Sequence, residues 1–184
     1  MTELFDILDE NGNKTGKTEN KKIIHEKGLW HSAVHIWIYN SKGEILLQKR
    51  AMNKDYWPGR WDISSAGHIS AGETPEHSVV RELEEELGIK VMLSNLKKIK
   101  IRKSTNSVPE INYYNNEFDH VFLFRFDGDI SELKFEDGEV EKVKFISAER
   151  FEKELNDKEL LKTYVPHRQY YFDIIEAVKK ELIK

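Results

Sequence analysis

Apolar and polar positions alternate along the first fifty residues in two matched pairs of runs. ELFDILDENGNKTGK reads as a β-hairpin whose turn is Asn11-Gly12. HSAVHIWIYNSKGEILLQKR repeats the pattern more strongly. Val34, Ile36 and Ile38 alternate with His35, Trp37 and Tyr39, Asn40 to Gly43 turn the chain, and Ile45-Leu46-Leu47 begins the return strand. AMNKDYWPGRWDISSAG has no period and carries Pro58-Gly59, so it predicts a loop. Lys97 to Lys103 and His120 to Phe126 predict two more strands, with the polar segment TNSVPEINYYNNEFD as a loop between them. Glu141 to Ile146 predicts a short strand. Ser147 caps a short helix over AERFEKEL, and Asp157 starts a further turn. Pro166 as first helical residue opens a last helix, with Tyr170, Ile174, Val178 and Leu182 in one stripe.

The strongest helical signal lies in the middle of the chain. Thr74 suits the N-cap, Pro75 the first turn and Gly88 the stop. At about 100° per residue, Val79, Val80, Leu83 and Leu87 share one face, while Glu82, Glu85 and Glu86 share another. Arg81 lies one turn before Glu85, within ion-pair reach, and Glu84 points elsewhere. Like charges at these spacings repel by about a few tenths of a kcal/mol per exposed pair. One arginine does not neutralise three glutamates. A solvated acidic face is the plain reading of such a run; a divalent cation held by the carboxylates is the functional one.

Strands and helices mix without βαβ regularity, so the class is α+β or a mixed-sheet sandwich. The 184 residues fit one domain, 1–184, with a hairpin extension over about 1–28 and a terminal helix over about 166–184. Net charge is −4 and 34% of residues are charged, so no basic field argues for a nucleic acid polymer or an anionic membrane. No run is long and apolar enough to span a membrane, and the N-terminal residues do not resemble an export signal. There is no cysteine, which removes thiolate ligands and thiol chemistry. A cytoplasmic enzyme acting on a small molecule fits, as a monomer or an oligomer such as a homodimer.

Gly67, five residues, Glu73, seven residues, then Arg81-Glu82-Leu83-x-Glu85-Glu86-x-Gly88-Ile89 make a complete Nudix box. From about Trp30 to Ile146 the chain resembles the Nudix hydrolase family. The resemblance implies an α/β/α sandwich around a mixed sheet, a loop–helix–loop box, and Mg²⁺- or Mn²⁺-dependent hydrolysis of a diphosphate linked to another moiety. It implies that Glu82, Glu85 and Glu86 bind metal or activate water, that Arg81 orients Glu85, that Glu73 supports the loop, and that the Gly67 carbonyl joins the metal shell. HSAVHIWIYNSKGEILLQKR, KDYWPGRWD and SSAGHISAGE also resemble the branch of type 1 isopentenyl diphosphate isomerase. The chain departs from that isomerase at Ala66, where the isomerase has its catalytic Cys, and at Glu82 and Glu85, where it has no carboxylates.

Of the isomerase-like metal set His68 fits, His25 and His31 fit with one residue fewer between them, and Asn115 replaces a Glu. His25, His31 and His35 are read as ordinary polar strand positions. Glu117 matches a family Glu and stays open as base or further ligand. Arg50 and Lys54 match positions that hold diphosphate. Trp57, Trp61, Tyr113 and Tyr114 are candidates to stack on a base, though the resemblance implies that Trp61, which follows a turn, more often plugs the core. A nucleoside diphosphate-X pyrophosphohydrolase leads; a nucleotide-sensing module without catalysis and a prenyl diphosphate isomerase are the alternatives.

Overall fold

The computed structural model describes residues 3–54, 56–135 and 138–183. Asp55 of the Pro-Gly loop and Lys184 at the end of the last expected helix lie outside them.

The first hairpin forms as the turn chemistry requires: β1 (Leu4–Leu8) pairs antiparallel with β2 (Lys14–Asn20). Asp9 accepts from the backbone of Asn11 and Asn13, both at 2.9 Å, and Gly12 takes φ +87°. Beyond β2 the backbone coils instead of extending. A helix, α1 (Lys21–Lys27), is capped by the Asn20 side chain at Ile23 N and stopped by Gly28 at φ 59°. With seven residues and little apolar surface it leaves no periodic stripe to read.

The centre of the sheet is β3 (Trp30–Tyr39). It pairs in parallel with β8 (Tyr113–Arg125), from Trp30–Asn116 to Tyr39–Arg125, and antiparallel with β6 (Ser65–His68). Its hairpin partner β4 (Glu44–Arg50) meets it only at Tyr39–Ile45. Beyond the turn β4 diverges to pair with β9 (Val140–Ser147) and the short β5 (Trp61–Asp62). The segment expected as an unbroken loop thus carries β5 and β6.

Both faces of β3 are covered, as in a sheet with helices on each side. Val34, Ile36 and Ile38, with Phe122 and Phe124 of β8, pack under Val79, Leu83 and Leu87 of α2 (Pro75–Leu87). Trp37, Val121 and Leu123 pack instead with Phe151 and Leu155 of α3 (Ala148–Asn156) and with Tyr171, Ile174 and Val178 of α5 (Arg168–Leu182). A short α4 (Lys158–Leu161) follows the Asp157 cap. The architecture is the expected α/β/α sandwich on a mixed sheet. No helix among the described residues is long and apolar enough to cross a membrane.

Two further expectations fail. Pro166 is not the first helical residue, because Tyr164 bridges Trp61 and Val165 N donates to Trp61 O, so α5 begins only after His167. Leu182, though in the stripe, is 44% exposed. The second failure is the polar segment after Lys103. It is no loop: β7 (Leu96–Val108) and β8 run as paired thirteen-residue strands to Val108–Tyr113, reversed by a turn at Pro109–Ile111. The backbone ladder holds this outer half while its side chains face a cavity and solvent, so no hydrophobic alternation marks it.

Candidate active site

The box loop leaves β6 and enters α2, whose cap is Thr74 accepting from His77 N at 3.3 Å. Glu82 and Glu86, one turn apart, are buried against β6, while Glu85 stays half exposed and Glu84 turns outward toward Lys90. Gly67 is required by space: a Cβ there would lie 2.0 Å from the Glu82 carboxylate. Arg81 is the hub. Its Nη1 donates to Glu82 at 2.6 Å and Glu85 at 3.1 Å, and its Nη2 to the His68 carbonyl at 3.0 Å and Glu73 at 3.1 Å. Glu73 also accepts from Ser78 Oγ at 2.6 Å, bracing the loop against the helix.

That leaves Glu86 without an ion pair among the described residues; its contact is Ala66 N at 3.3 Å. Burial, reinforced by the neighbouring Glu82, pushes it up to about 8. Glu82 is raised by burial too, with Arg81 opposing. Two buried carboxylates beside the Gly67 backbone, one lacking a cation, suit a hard divalent ion such as Mg²⁺.

The histidines correct the sequence expectation. His25 lies on α1, not on a strand, and its ring nitrogens converge with those of His31 on β3 and His68 on β6 to within 4.8 Å. All three Nε2 atoms are buried without a hydrogen-bond partner among the described residues. His31 Nδ1 donates to the Leu29 carbonyl at 2.9 Å, which leaves the Nε2 lone pair facing the cluster. Burial lowers His25 to about 4 and His68 well below its ordinary value, so both rings are neutral and able to ligate.

Glu117, expected on a loop, sits within β8 with Oε1 3.4 Å from His31 Nε2 and 3.6 Å from His68 Nε2. Asn115, with its Oδ1 unpartnered among the described residues, lies two residues back on the same strand face. Three imidazoles and a carboxylate suit a divalent transition ion. His35 belongs to a second buried group, converging with Glu117 and Asp119 to within 4.8 Å; its Nδ1 lies 3.1 Å from the Tyr170 hydroxyl and its Nε2 3.7 Å from Asp119.

His68, Glu82, Glu86, Asn115 and Glu117 open on a cavity of about 510 Å³. Arg50 and Lys54 both line it, and both are engaged. Arg50 donates to the Tyr56 carbonyl at 3.1 Å and Asp62 at 3.2 Å, and Lys54 pairs with Glu139. Lys21, which nothing in its local sequence singles out, lines the cavity with no ion pair among the described residues. Of the four aromatic candidates, Trp57 and Tyr113 line the cavity, Tyr113 stacked on Tyr56 at 4.0 Å. Trp61 packs on the core beneath Lys144, and Tyr114 points to solvent.

A NUDIX-domain family model matches residues 29–167, from the start of β3 through the segment before α5. The chain belongs to the NUDIX family. The match runs further than the expected Trp30 to Ile146. Over 168 residues the chain is 40% identical to Nudix hydrolase 3 of Arabidopsis thaliana, covering 90% of this chain but only 22% of that protein. A Nudix hydrolase of Listeria monocytogenes is 34% identical, covering 82% of this chain and 83% of its own. Isopentenyl-diphosphate Delta-isomerase 2 of Photorhabdus laumondii is 35% identical over 69% of each chain. Among solved structures, a Deinococcus radiodurans protein shares the fold at TM-score 0.66 and 20% identity, covering 97% of this chain and 98% of its own. The MutT protein of Methanosarcina mazei aligns at TM-score 0.57 and 25% identity, over 84% and 96%. Within the NUDIX family this chain stands with the hydrolases, enzymes acting on phosphoanhydride bonds.

Proposed function

We propose that this protein is a divalent-metal-dependent pyrophosphohydrolase that cleaves a small-molecule diphosphate linked to another moiety, in the cytoplasm. The observation that carries the reading is Glu86, buried beside Glu82 with no cation of its own among the described residues. Glu82, Glu86 and the Gly67 carbonyl are the groups that would hold Mg²⁺ or Mn²⁺, and His25, His31, His68 and Glu117 would hold a second ion. Bound there, such ions supply charge neutralisation of the diphosphate and make water easier to deprotonate.

The protein's own residues do the rest. Lys21, Arg50 and Lys54 draw the phosphate oxygens to one wall of the cavity. Glu85, the box carboxylate that keeps contact with solvent at the cavity edge, takes the proton of the attacking water, and Arg81 fixes its orientation. Glu73 holds Arg81 in place through Nε at 3.3 Å and Nη2 at 3.1 Å. Phosphate release measured with Mg²⁺, with Mn²⁺ and in excess EDTA tests this. Full turnover in EDTA would sink it.

The His25–His31–His68–Glu117 cluster and the isomerase relatives favour a second reading, interconversion of prenyl diphosphates. Ala66, beside Glu86 in the site, provides no thiol to move a proton. We expect proton NMR to show no exchange between isopentenyl and dimethylallyl diphosphates, in wild type or after Ala66→Cys. A module that senses nucleotides without cleaving them is disfavoured by the intact set of box carboxylates.

A further inference from the structure

The family match begins at residue 29, yet the hairpin ahead of it reaches the box. β1 pairs with β3 only at Leu8–Trp30. The rest of that edge is taken up by the loop between β6 and α2. Phe5 forms an antiparallel bridge with Ser70, Ala71 N donates to the Leu4 carbonyl at 2.8 Å, and Gly72 N donates to Asp6 Oδ2 at 3.1 Å. Ser70 Oγ donates to Glu3 Oε1 at 2.6 Å. Three successive residues of the box loop are thus held by consecutive residues of the hairpin.

The loop has little of its own to fix it on that side. Gly72 takes φ +80°, and a Cβ there would meet nothing within 4 Å among the described residues, so side-chain packing does not restrain the backbone. On the inner side Arg81 holds the His68 carbonyl and Glu73 accepts from Ser70 N at 3.2 Å. Just ahead of the loop, β6 ends in Gly67 and His68, and these neighbours face different ligand groups. Gly67 lies against the Glu82 carboxylate, while the His68 ring joins His25 and His31. A displaced loop therefore disturbs both groups at once. Phe5, 1% exposed, limits the swing of that imidazole, its ring centre 5.1 Å away. The hairpin tip is pinned in turn, because Lys103 Nζ donates to the Glu10 carbonyl at 2.5 Å and Gly12 rests on the Phe118 ring.

Resting on the hydrolase reading for its metal, we propose that the N-terminal hairpin positions the metal ligands of the box, with Asp6 at Gly72 N as the positioning residue. Magnesium demands near-ideal geometry, so residues that merely orient its ligands change its affinity by about 10–100-fold when lost. Lys14 separates this role from simple support of the hairpin. Its Nζ meets the same Asp6 oxygen at 2.7 Å, but it belongs to β2 and the bond it makes lies within the hairpin.

Binding of Mn²⁺ to the full chain, followed by loss of the free-ion EPR signal, tests this apart from turnover. Asp6→Ala should weaken binding by about tenfold or more. Asp6→Asn keeps an acceptor for Gly72 N and should return to within about threefold of wild type. Lys14→Met loses the same ion pair, yet should bind within about twofold of wild type, since an exposed pair contributes little by itself. Melting temperatures confirm that each variant folds. Unchanged binding in Asp6→Ala overturns the proposal, and so does an equal loss in Lys14→Met or a failure of Asp6→Asn to recover. A wild type that takes up no Mn²⁺ removes the proposal and the metal-dependent reading together. Mn²⁺ affinity that follows Asp6 without any phosphate release would uphold the hairpin's role and remove the hydrolase reading instead.

Discussion

Glu154 in α3 and Glu86 in α2 are almost equally shielded, at 8% and 7% exposure, yet the fold treats them in opposite ways. Glu154 accepts from Arg150 Nε at 2.7 Å and from the Tyr164 hydroxyl, and Lys144 Nζ lies 3.7 Å away. Burial alone would raise its pKa, but these partners outweigh it and the carboxyl is held below its ordinary 4.5. Glu86 has one long backbone contact and a second glutamate for company, and rises to about 8. Compensating a buried carboxylate is within this fold's means. Where it is left undone, the proposed function assigns the missing charge to a bound cation.

The largest expected consequence concerns chemistry. Glu86→Gln should lower kcat by at least about 100-fold, with the metal-free melting temperature unchanged or higher, while Glu154→Gln leaves kcat near wild type. If the two variants lost activity alike, the contrast would be structural only.

Next comes metal-linked stability. At a hundredfold excess over Kd, Mg²⁺ should stabilise the folded state by about 2.7 kcal/mol. For a domain of this size that raises Tm by about 2–4 °C per kcal/mol. Glu82→Gln with Glu86→Gln should abolish the rise; a full rise in the double variant would place the cation elsewhere.

Glu154→Gln should cost about 1–3 kcal/mol, since it leaves the buried Tyr164 hydroxyl with a weaker acceptor. The pH dependences of the two sites run in opposite directions. Glu154, with its folded pKa lowered, contributes stability that is present above pH 4.5 and lost as pH falls through the folded value. Glu86 in the metal-free protein has its folded pKa raised. Its protonated form therefore contributes stability that is present below 4.5 and lost as pH rises toward about 8. Melting curves of each Gln variant against wild type from pH 4 to 9 read the two signs; the same sign at both sites would break the comparison.

Smallest of all, Glu84→Gln should change kcat by under about threefold, because that side chain faces Lys90 and solvent.

Box helix α2 was legible because cap, stop and apolar stripe all agree in sequence, and its carboxylates are presented as the helical wheel requires. The two N-terminal hairpins were legible for the same reason of local consistency. The outer half of β7 and β8 was not, since its strands bury no apolar face, and α1 was too short to show a period. The histidine cluster was half legible. The resemblance to the isomerase branch pointed at His25, His31 and His68, but the sequence reads His25 and His31 as ordinary strand positions, because their convergence depends on three elements meeting in space. Lys21 and the cavity residues Gln48, Asp62 and His167 left no local mark, because only the packed sheet brings them to one cavity.

The outer arm of β7 and β8 separates the shape of the cavity from the stability of the fold. No residue from Ser104 to Asn116 is fully buried, yet Ser104, Thr105, Asn106, Tyr113 and Asn115 form one wall of the cavity. Substitutions on such a surface usually change stability by no more than about 0.5 kcal/mol. The wall of the cavity can therefore be rewritten on this arm at little cost in stability, whereas a change in the box helix or in the two cores disturbs packed apolar faces.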